Sequence, residues 1–342
     1  MQDFLEIHEH GAVLQIVLNR PDALHALNLE MIEGLYAALQ SAEKNPKIQA
    51  LLIQASPARA FCAGGDVRWA YHTGLRRDPA IQTFFDQEYT LNHAIYCFPK
   101  PYIVLMDGAT IGGGAGISIH GSYPIATERF SFSMPETGIG LFPDVGMSYW
   151  LSRLPGAMGI YLALTGARLD ADQALALGLV RAILPSAQIP AFVQHLLQAN
   201  WSHQIPQLVV DAALYMDAST KAYVFPEWLN VVDRCFHAPT VEAIVEALAR
   251  ETGDWAATTC AELMKKSPLS LKVTLEQIRR AQHMTFAECI AMDRVLLRHF
   301  IHDLDFYEGV RALLIDKDKS PRWQPASLAE ITDAQVMSYF MD

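Results

Sequence analysis

The chain is poor in cysteine, in positive charge and in long apolar runs, and each shortage closes off a class of protein. Its five cysteines, Cys62, Cys97, Cys235, Cys260 and Cys289, are scattered over 342 residues without a C-x-x-C pair. Neither a zinc knuckle nor a disulfide framework is therefore indicated, no metal site is expected, and the thiols read as those of a reduced, cytoplasmic protein. Lys and Arg number 26 against 37 Asp and Glu, a formal charge of −11, which argues against nucleic acid as the main partner because a phosphate backbone calls for clustered bases. An anionic ligand would need its own local basic residues. No run of about 18 uninterrupted apolar residues occurs, and the opening Met1-Gln-Asp3-Phe-Leu-Glu6 is acidic, so neither a membrane span nor a signal peptide is expected. With 51% hydrophobic and 18% charged residues, the composition is that of a soluble globular enzyme able to bury a sizeable core.

What is present is organised around Lys100–Arg153. Tyr102 to Met106 reads as a buried strand, which Gly108 interrupts. Gly112 to Gly114 follow, three glycines that let the backbone approach a ligand with no Cβ in the way. A helix-like segment over Ala115 to His120 would leave free N–H groups at its start, suited to an oxygen gaining negative charge. Phosphate-loop readings fail here, since no Gly-Lys-Ser/Thr occurs and Ile117 stands where G-x-G-x-x-G needs its last glycine. Gly116-Ile-Ser118-Ile-His120 misses the G-x-S-x-G elbow because His120 replaces the final glycine. Downstream, Phe130 to Met134 reads as a strand leading into Pro135-Glu136, and Asp144 follows Glu136 on a turn-rich connection. Glu136 reads as a loop carboxylate or an acid group of a site. Asp144 reads equally as the N-cap of a helix from Val145 to Leu154.

Along the rest of the chain, Phe4 to His8 and Ala12 to Leu18 predict an opening hairpin. Asn28 predicts the cap of a helix reaching Ser41, and Ile48 to Gln54 the next strand, parallel to the hairpin's second through a crossover. Ala60-Phe-Cys62-Ala-Gly64-Gly65-Asp66 is a second glycine pair after a strand, opening a helix near Val67. Residues 78 to 97 read as a helix on which Glu88 and Asn92 share a face, either a functional pair or a solvated stripe. Tyr161 to Leu164 and Ala171 to Leu177 suggest a helix pair, followed by a strand over Leu179 to Leu184. Helical spacing then dominates over Ala191–Ala199, Val241–Arg250, Trp255–Lys265 and Leu269–Arg280, where Ser267-Pro268 supplies a cap and an N1 proline. The stretch 201 to 240, broken by Pro206 and Pro226, stays ambiguous between helix and loop. The expected organisation is an α/β core over 1–190 and a mainly helical region over 191–342.

These residues carry a resemblance. Leu18-Asn-Arg-Pro21, Ala26-Leu-Asn28, Ala60–Val67, Gly112–Gly116, Met134–Gly146, Ser267–Lys272 and Phe306–Trp323 occur in order and resemble the crotonase (enoyl-CoA hydratase/isomerase) superfamily over nearly the whole chain, least between 200 and 260. The resemblance implies a spiral of ββα turns, with an acyl-CoA thioester as substrate and no cofactor beyond that coenzyme A. It implies that the N–H groups of Gly65 and Gly113 form an oxyanion hole, and that Gly64 and Asp66 border the substrate. Leu24, His25 and Ala26 would line the adenine side by backbone contacts, while Lys317 would hold the CoA phosphates, with Lys319 and Arg322 as alternatives.

A departure from the family's pattern bears on the reaction. Hydratases of the superfamily use two Glu side chains, and Gly116 stands at the first of those positions while Glu136 keeps the second. A hydrolytic subgroup instead has an Asp eight residues after the retained Glu, matched by Asp144, and a substrate-side Glu matched by Glu88. The implied activity is hydrolysis of a short 3-hydroxyacyl-CoA, 3-hydroxyisobutyryl-CoA of valine breakdown first and 3-hydroxypropionyl-CoA second. Glu136 would be nucleophile or general base, and Asp144 would orient the substrate hydroxyl or water and assist proton transfer. A hydratase or isomerase using Glu136 alone, and a non-catalytic acyl-CoA or protein-binding scaffold, are the competing readings. The superfamily commonly builds trimers and their dimers, so a homo-oligomer is one expectation, with the extended C-terminal segment as a competing cover for that surface.

Overall fold

The structure, a computed structural model, describes residues 4–199, 201 and 228–341. Of the ambiguous stretch 201 to 240, residues 202–227, which include Pro206 and Pro226, lie outside the described residues. The chain forms two compact units that alternate along the sequence. One is built from the described residues of Met1–Gly65, Thr90–Phe132 and Leu169–Val224, the other from those of Asp66–Tyr89, Ser133–Arg168 and Phe225–Asp342. The sequence reading puts one change near residue 190, where helical spacing begins to dominate. Compactness divides the chain differently, because two earlier segments group with the C-terminal helices.

The first unit carries strands β1 (Leu5–His10), β2 (Val13–Leu18), β3 (Ala50–Ala55), β4 (Ala60–Cys62), β5 (Tyr102–Met106), β6 (Ala109–Ile111), β7 (Tyr123–Ala126), β8 (Ser131–Ser133) and β9 (Ala182–Ile183). They form one sheet in the order β1-β2-β3-β5-β7-β9 and a small one in the order β4-β6-β8. The hairpin β1–β2 is antiparallel and β2–β3 parallel, as the hydrophobic pattern predicts. β2 and β5 are buried along their whole length, the mark of strands covered on both faces. β1 is an exposed edge bearing Glu6, His8 and Glu9, charges and polar groups that discourage further strand pairing. The crossover helix Leu29–Lys44 begins where expected: Asn28 Oδ1 accepts the Met31 N–H at 2.8 Å. Val13, Leu52, Ile103 and Ile125 pack against Phe192 and Leu196 of the helix Ile189–Gln198.

In the second unit the helix Pro268–Ala281 packs on Met158–Thr165 and on Met147–Leu151. Its start follows from Ser267, whose Oγ accepts the Ser270 N–H at 3.1 Å and donates to Asp305 Oδ2 at 2.6 Å. Both groups are buried, so Ser267→Ala removes a cap and also deprives a buried carboxylate of one of its two donors, the other being the Gln324 N–H. A loss of about 1–3 kcal/mol in unfolding free energy is expected, read from urea denaturation; an unchanged midpoint would show that the cap is redundant. The helices Phe286–Phe300 and Leu304–Val310 had no counterpart in the sequence reading. The first opens on a capping box between Thr285 and Glu288, the local signal that marks such a start.

Candidate active site

The glycine loops meet within the first unit. Gly64 adopts φ +104°, and a Cβ on it would stand 3.2 Å from Ile111 O and 3.7 Å from Gly113 N. A Cβ on Gly114 would stand only 2.3 Å from Cys62 O, so there the loops approach at a distance that only a bare backbone allows. Gly113 opens the four-residue helical turn Gly113–Gly116, so its N–H has no partner within that turn. Neither this N–H nor that of Gly65 enters a backbone hydrogen bond among the described residues. The turn is shorter than the Ala115 to His120 helix expected, with the Ser118 hydroxyl donating back to Gly114 O at 2.7 Å.

The loop bearing Leu24, His25 and Ala26 joins the same place. Leu24 and His25 both have positive φ, 52° and 55°; Ala63 N–H donates to Leu24 O at 3.0 Å and Leu27 N–H to Gly64 O at 2.8 Å. His25 is fully buried and holds the turn: its Nδ1 accepts the Arg20 N–H at 3.0 Å, which leaves Nε2–H to donate to Ser56 O at 3.0 Å. Burial keeps the imidazole below its ordinary pKa. The ring is a neutral structural strut, while the exposed Leu24 belongs to the loop's surface.

The carboxylates gather in the second unit. Glu88, Glu136 and Asp144 are all buried. Asp144 was read from sequence as a helix cap or a site acid, and its side chain does not cap the helix. The helix starts later, at Met147–Leu151, its cap position is Gly146, and no side chain caps it. Asp144 Oδ2 instead accepts the Tyr89 hydroxyl at 2.8 Å. Burial pushes Asp144 up to about 6, although the Tyr89 hydrogen bond favours its anion. Glu136 is driven well above the ordinary carboxylate range by burial first, then by Asp144 and Glu88, with Lys266 pulling the other way. Glu88 is raised by burial and by Asp144. Glu136 Oε2 and Glu88 Oε1 are buried with no hydrogen-bond partner among the described residues. An unpaired buried carboxylate oxygen costs free energy unless a ligand or a reacting group meets it.

The remaining expected positions divide. Asp66 Oδ1 accepts the Trp69 N–H at 3.0 Å, capping the helix Val67–Leu75. Lys317 is exposed at φ +60°, on a segment that Arg311 ties down through Asp316 and Asp318. Asn92, read with Glu88 as a functional pair or a solvated stripe, is not solvated: its side chain is buried and both its polar atoms are unpartnered among the described residues. Sequence reasoning missed Tyr89 as the partner of Asp144, Lys266 as the cation acting on Glu136, and the buried pair Gln277 and Asp293. Tyr89 lay inside the predicted helix 78 to 97 with nothing to mark its partner, and nothing local marked the others.

A parallel sheet with crossover helices, two glycine loops and buried carboxyls define an α/β enzyme-like scaffold with acid–base groups. The profile of the family described as Enoyl-CoA hydratase/isomerase matches residues 13–340, and the chain belongs to that family. It is similar to proteins named 3-hydroxyisobutyryl-CoA hydrolase, mitochondrial. That of Xenopus tropicalis is 42% identical over 96% of this chain and 86% of the relative, and that of Homo sapiens 37% identical over 98% and 87%. Among solved structures, a carnitinyl-CoA dehydratase from Mycobacterium thermoresistibile matches with TM-score 0.90 and 32% identity, covering 100% of this chain and 97% of the other. An enoyl-CoA hydratase from Rhodobacter sphaeroides matches with TM-score 0.87 and 33% identity, covering 99% and 97%. The crotonase-like fold expected from the motifs is the fold observed.

Proposed function

We propose that the protein hydrolyses a short 3-hydroxyacyl-CoA thioester, 3-hydroxyisobutyryl-CoA foremost, and that its place is in valine breakdown. The observation that carries this reading is the buried group of Glu136, Asp144 and Tyr89, combined with a glycine, Gly116, where a hydratase needs its second Glu. The hydrolase relatives agree with it at about 40% identity, whereas the solved structures are those of a dehydratase and a hydratase. Hydratases of the superfamily use a pair of Glu side chains to add water across a double bond, and glycine stands at the first of those positions here.

In the reaction proposed, the N–H groups of Gly65 and Gly113 take the thioester oxygen as it gains charge, and Glu136 attacks the carbonyl carbon or deprotonates the water that does. Asp144, fixed by Tyr89, orients water or the substrate hydroxyl. Glu88, with its unpaired oxygen, serves the substrate side, and Gly64, Asp66 and the Leu24 to Ala26 loop border the CoA. Lys317, an exposed cation, is proposed for the CoA phosphates. A reducing compartment, taken above as the cytoplasm, belongs to the same proposal and rests on five free cysteines; self-association likewise rests on the habit of the superfamily.

The test is a panel of short acyl-CoA and enoyl-CoA thioesters incubated with enzyme and a thiol reagent. Release of CoA thiol from 3-hydroxyisobutyryl-CoA supports hydrolysis; loss of enoyl absorbance without thiol would overturn it in favour of hydration, and neither change would leave a scaffold. Within this reading, Gly113→Val crowds the oxyanion N–H and is expected to lower kcat by about 100-fold or more. The melting temperature is measured alongside, and a folded, fully active Val variant would place the oxyanion hole elsewhere.

A further inference from the structure

We propose that Asp293, acting with Gln277, is a positioning residue that clamps the turn carrying Asp144. The clamp grips the backbone on both sides of that residue. On one side Gln277 Nε2 donates to Pro143 O at 2.9 Å; on the other the Gly146 N–H donates to Asp293 Oδ2 at 2.8 Å. The same Gln277 Nε2 donates to Asp293 Oδ1 at 3.0 Å, which joins the two grips into one unit. Asp293 and Gln277 are both fully buried, so no water substitutes for either.

The turn needs holding. Val145 lies at φ +52° and Gly146 at φ +74°; a β-branched residue in the left-handed region is strained and persists only where its surroundings over-determine it. A Cβ on Gly146 would stand 2.7 Å from the Phe286 ring and 3.1 Å from Ile290, so the turn sits tightly against the helix Phe286–Phe300 that also bears Asp293. Between the two grips, Asp144 Oδ2 accepts the Tyr89 hydroxyl at 2.8 Å. Asp293 makes no use of its carboxylate in the chemistry proposed above, yet a buried carboxyl is costly to keep. Holding this turn is a role that explains its presence.

The inference rests on the reading that Asp144 serves the reaction, and the experiment separates the two. In Asp293→Asn the carbonyl still accepts from Gly146, but an NH₂ group is turned against that of Gln277 and the clamp loosens. A misplacement on the order of 1 Å at a reacting group costs about 100-fold, so kcat is expected to fall by about that factor with KM changed little, at a temperature well below the measured Tm. On an Asp144→Asn background, followed at high enzyme concentration, Asp293→Asn is expected to add nothing, since groups that act as a unit are not additive. Wild-type kcat in Asp293→Asn, or losses that multiply in the double variant, would reduce Asp293 to a structural residue and overturn the inference. Full activity in Asp144→Asn alone would instead remove the catalytic reading of Asp144. If Asp293→Asn fails to fold, Gln277→Leu, which keeps the Gly146 grip and removes the Pro143 one, is read by the same two measurements.

Discussion

Asp144→Asn is expected to lower kcat for thioester cleavage by about 100- to 10,000-fold, the range of a lost acid–base group, while leaving the fold intact. Asn still accepts the Tyr89 hydroxyl that Asp144 Oδ2 accepts at 2.8 Å, so the local packing is retained. Stability at neutral pH is expected to rise. The sign follows from linkage: burial holds Asp144 at about 6 in the folded protein, against about 3.9 in an unfolded chain. Between those values the folded protein binds a proton that the unfolded chain has lost, so stability falls as pH rises through that window and stays lower above it. Removing the group recovers up to about 3 kcal/mol above pH 6 and nothing below about pH 4. Urea midpoints of both proteins at pH 4 and pH 8, beside thiol-release rates, check the two claims together. Near-normal hydrolysis by the Asn variant would return Asp144 to a structural role.

The glycine loops and the Pro135-Glu136 turn were legible because backbone rules are local. Consecutive glycines after a strand announce an approach that no Cβ permits, and Gly114, where a Cβ would stand 2.3 Å from Cys62 O, is that approach. Asn28 and Ser267 were legible for the same reason, since an N-cap is written within three residues of the bond it makes. Asp144 was ambiguous because its partner, Tyr89, lies 55 residues earlier, and a carboxylate before a helix looks alike whether it caps or not. Glu88 and Asn92 showed a shared helix face but not what covers it; helical spacing gives direction and is silent on burial. Asp293 and Gln277 were invisible in principle. Their task is to hold backbone 147 and 134 residues away, and no local pattern encodes a buried acceptor for a distant turn.

Glu136→Gln is expected to remove turnover more completely than any other single change, because both routes to product pass through its carboxylate. In one route a Glu136 oxygen attacks the thioester carbonyl carbon and the C–S bond breaks. CoA leaves as a thiolate that takes a proton, and water opens the resulting anhydride, one hard step split into two. In the other, Glu136 takes a proton from the attacking water. Each needs the carboxylate anion, and burial, Asp144 and Glu88 all disfavour it. The rate is therefore expected to fall as pH drops, with its acid limb above the ordinary carboxylate range rather than near 4; a limb near 4 would show that the ionising group is an exposed one. The Gln variant keeps the shape and cannot ionise, so that limb disappears with the activity. A single turnover of wild-type enzyme in ¹⁸O-labelled water separates the routes: label in the peptide carrying Glu136 requires the anhydride. Label confined to the acid product is ambiguous by itself, because water opening the anhydride at the substrate carbonyl gives it too, and hydroxamate formed faster than from free thioester then reports the acyl-enzyme. Substantial thiol release by folded Glu136→Gln sinks both routes at once, since neither proceeds without a base or nucleophile at that position.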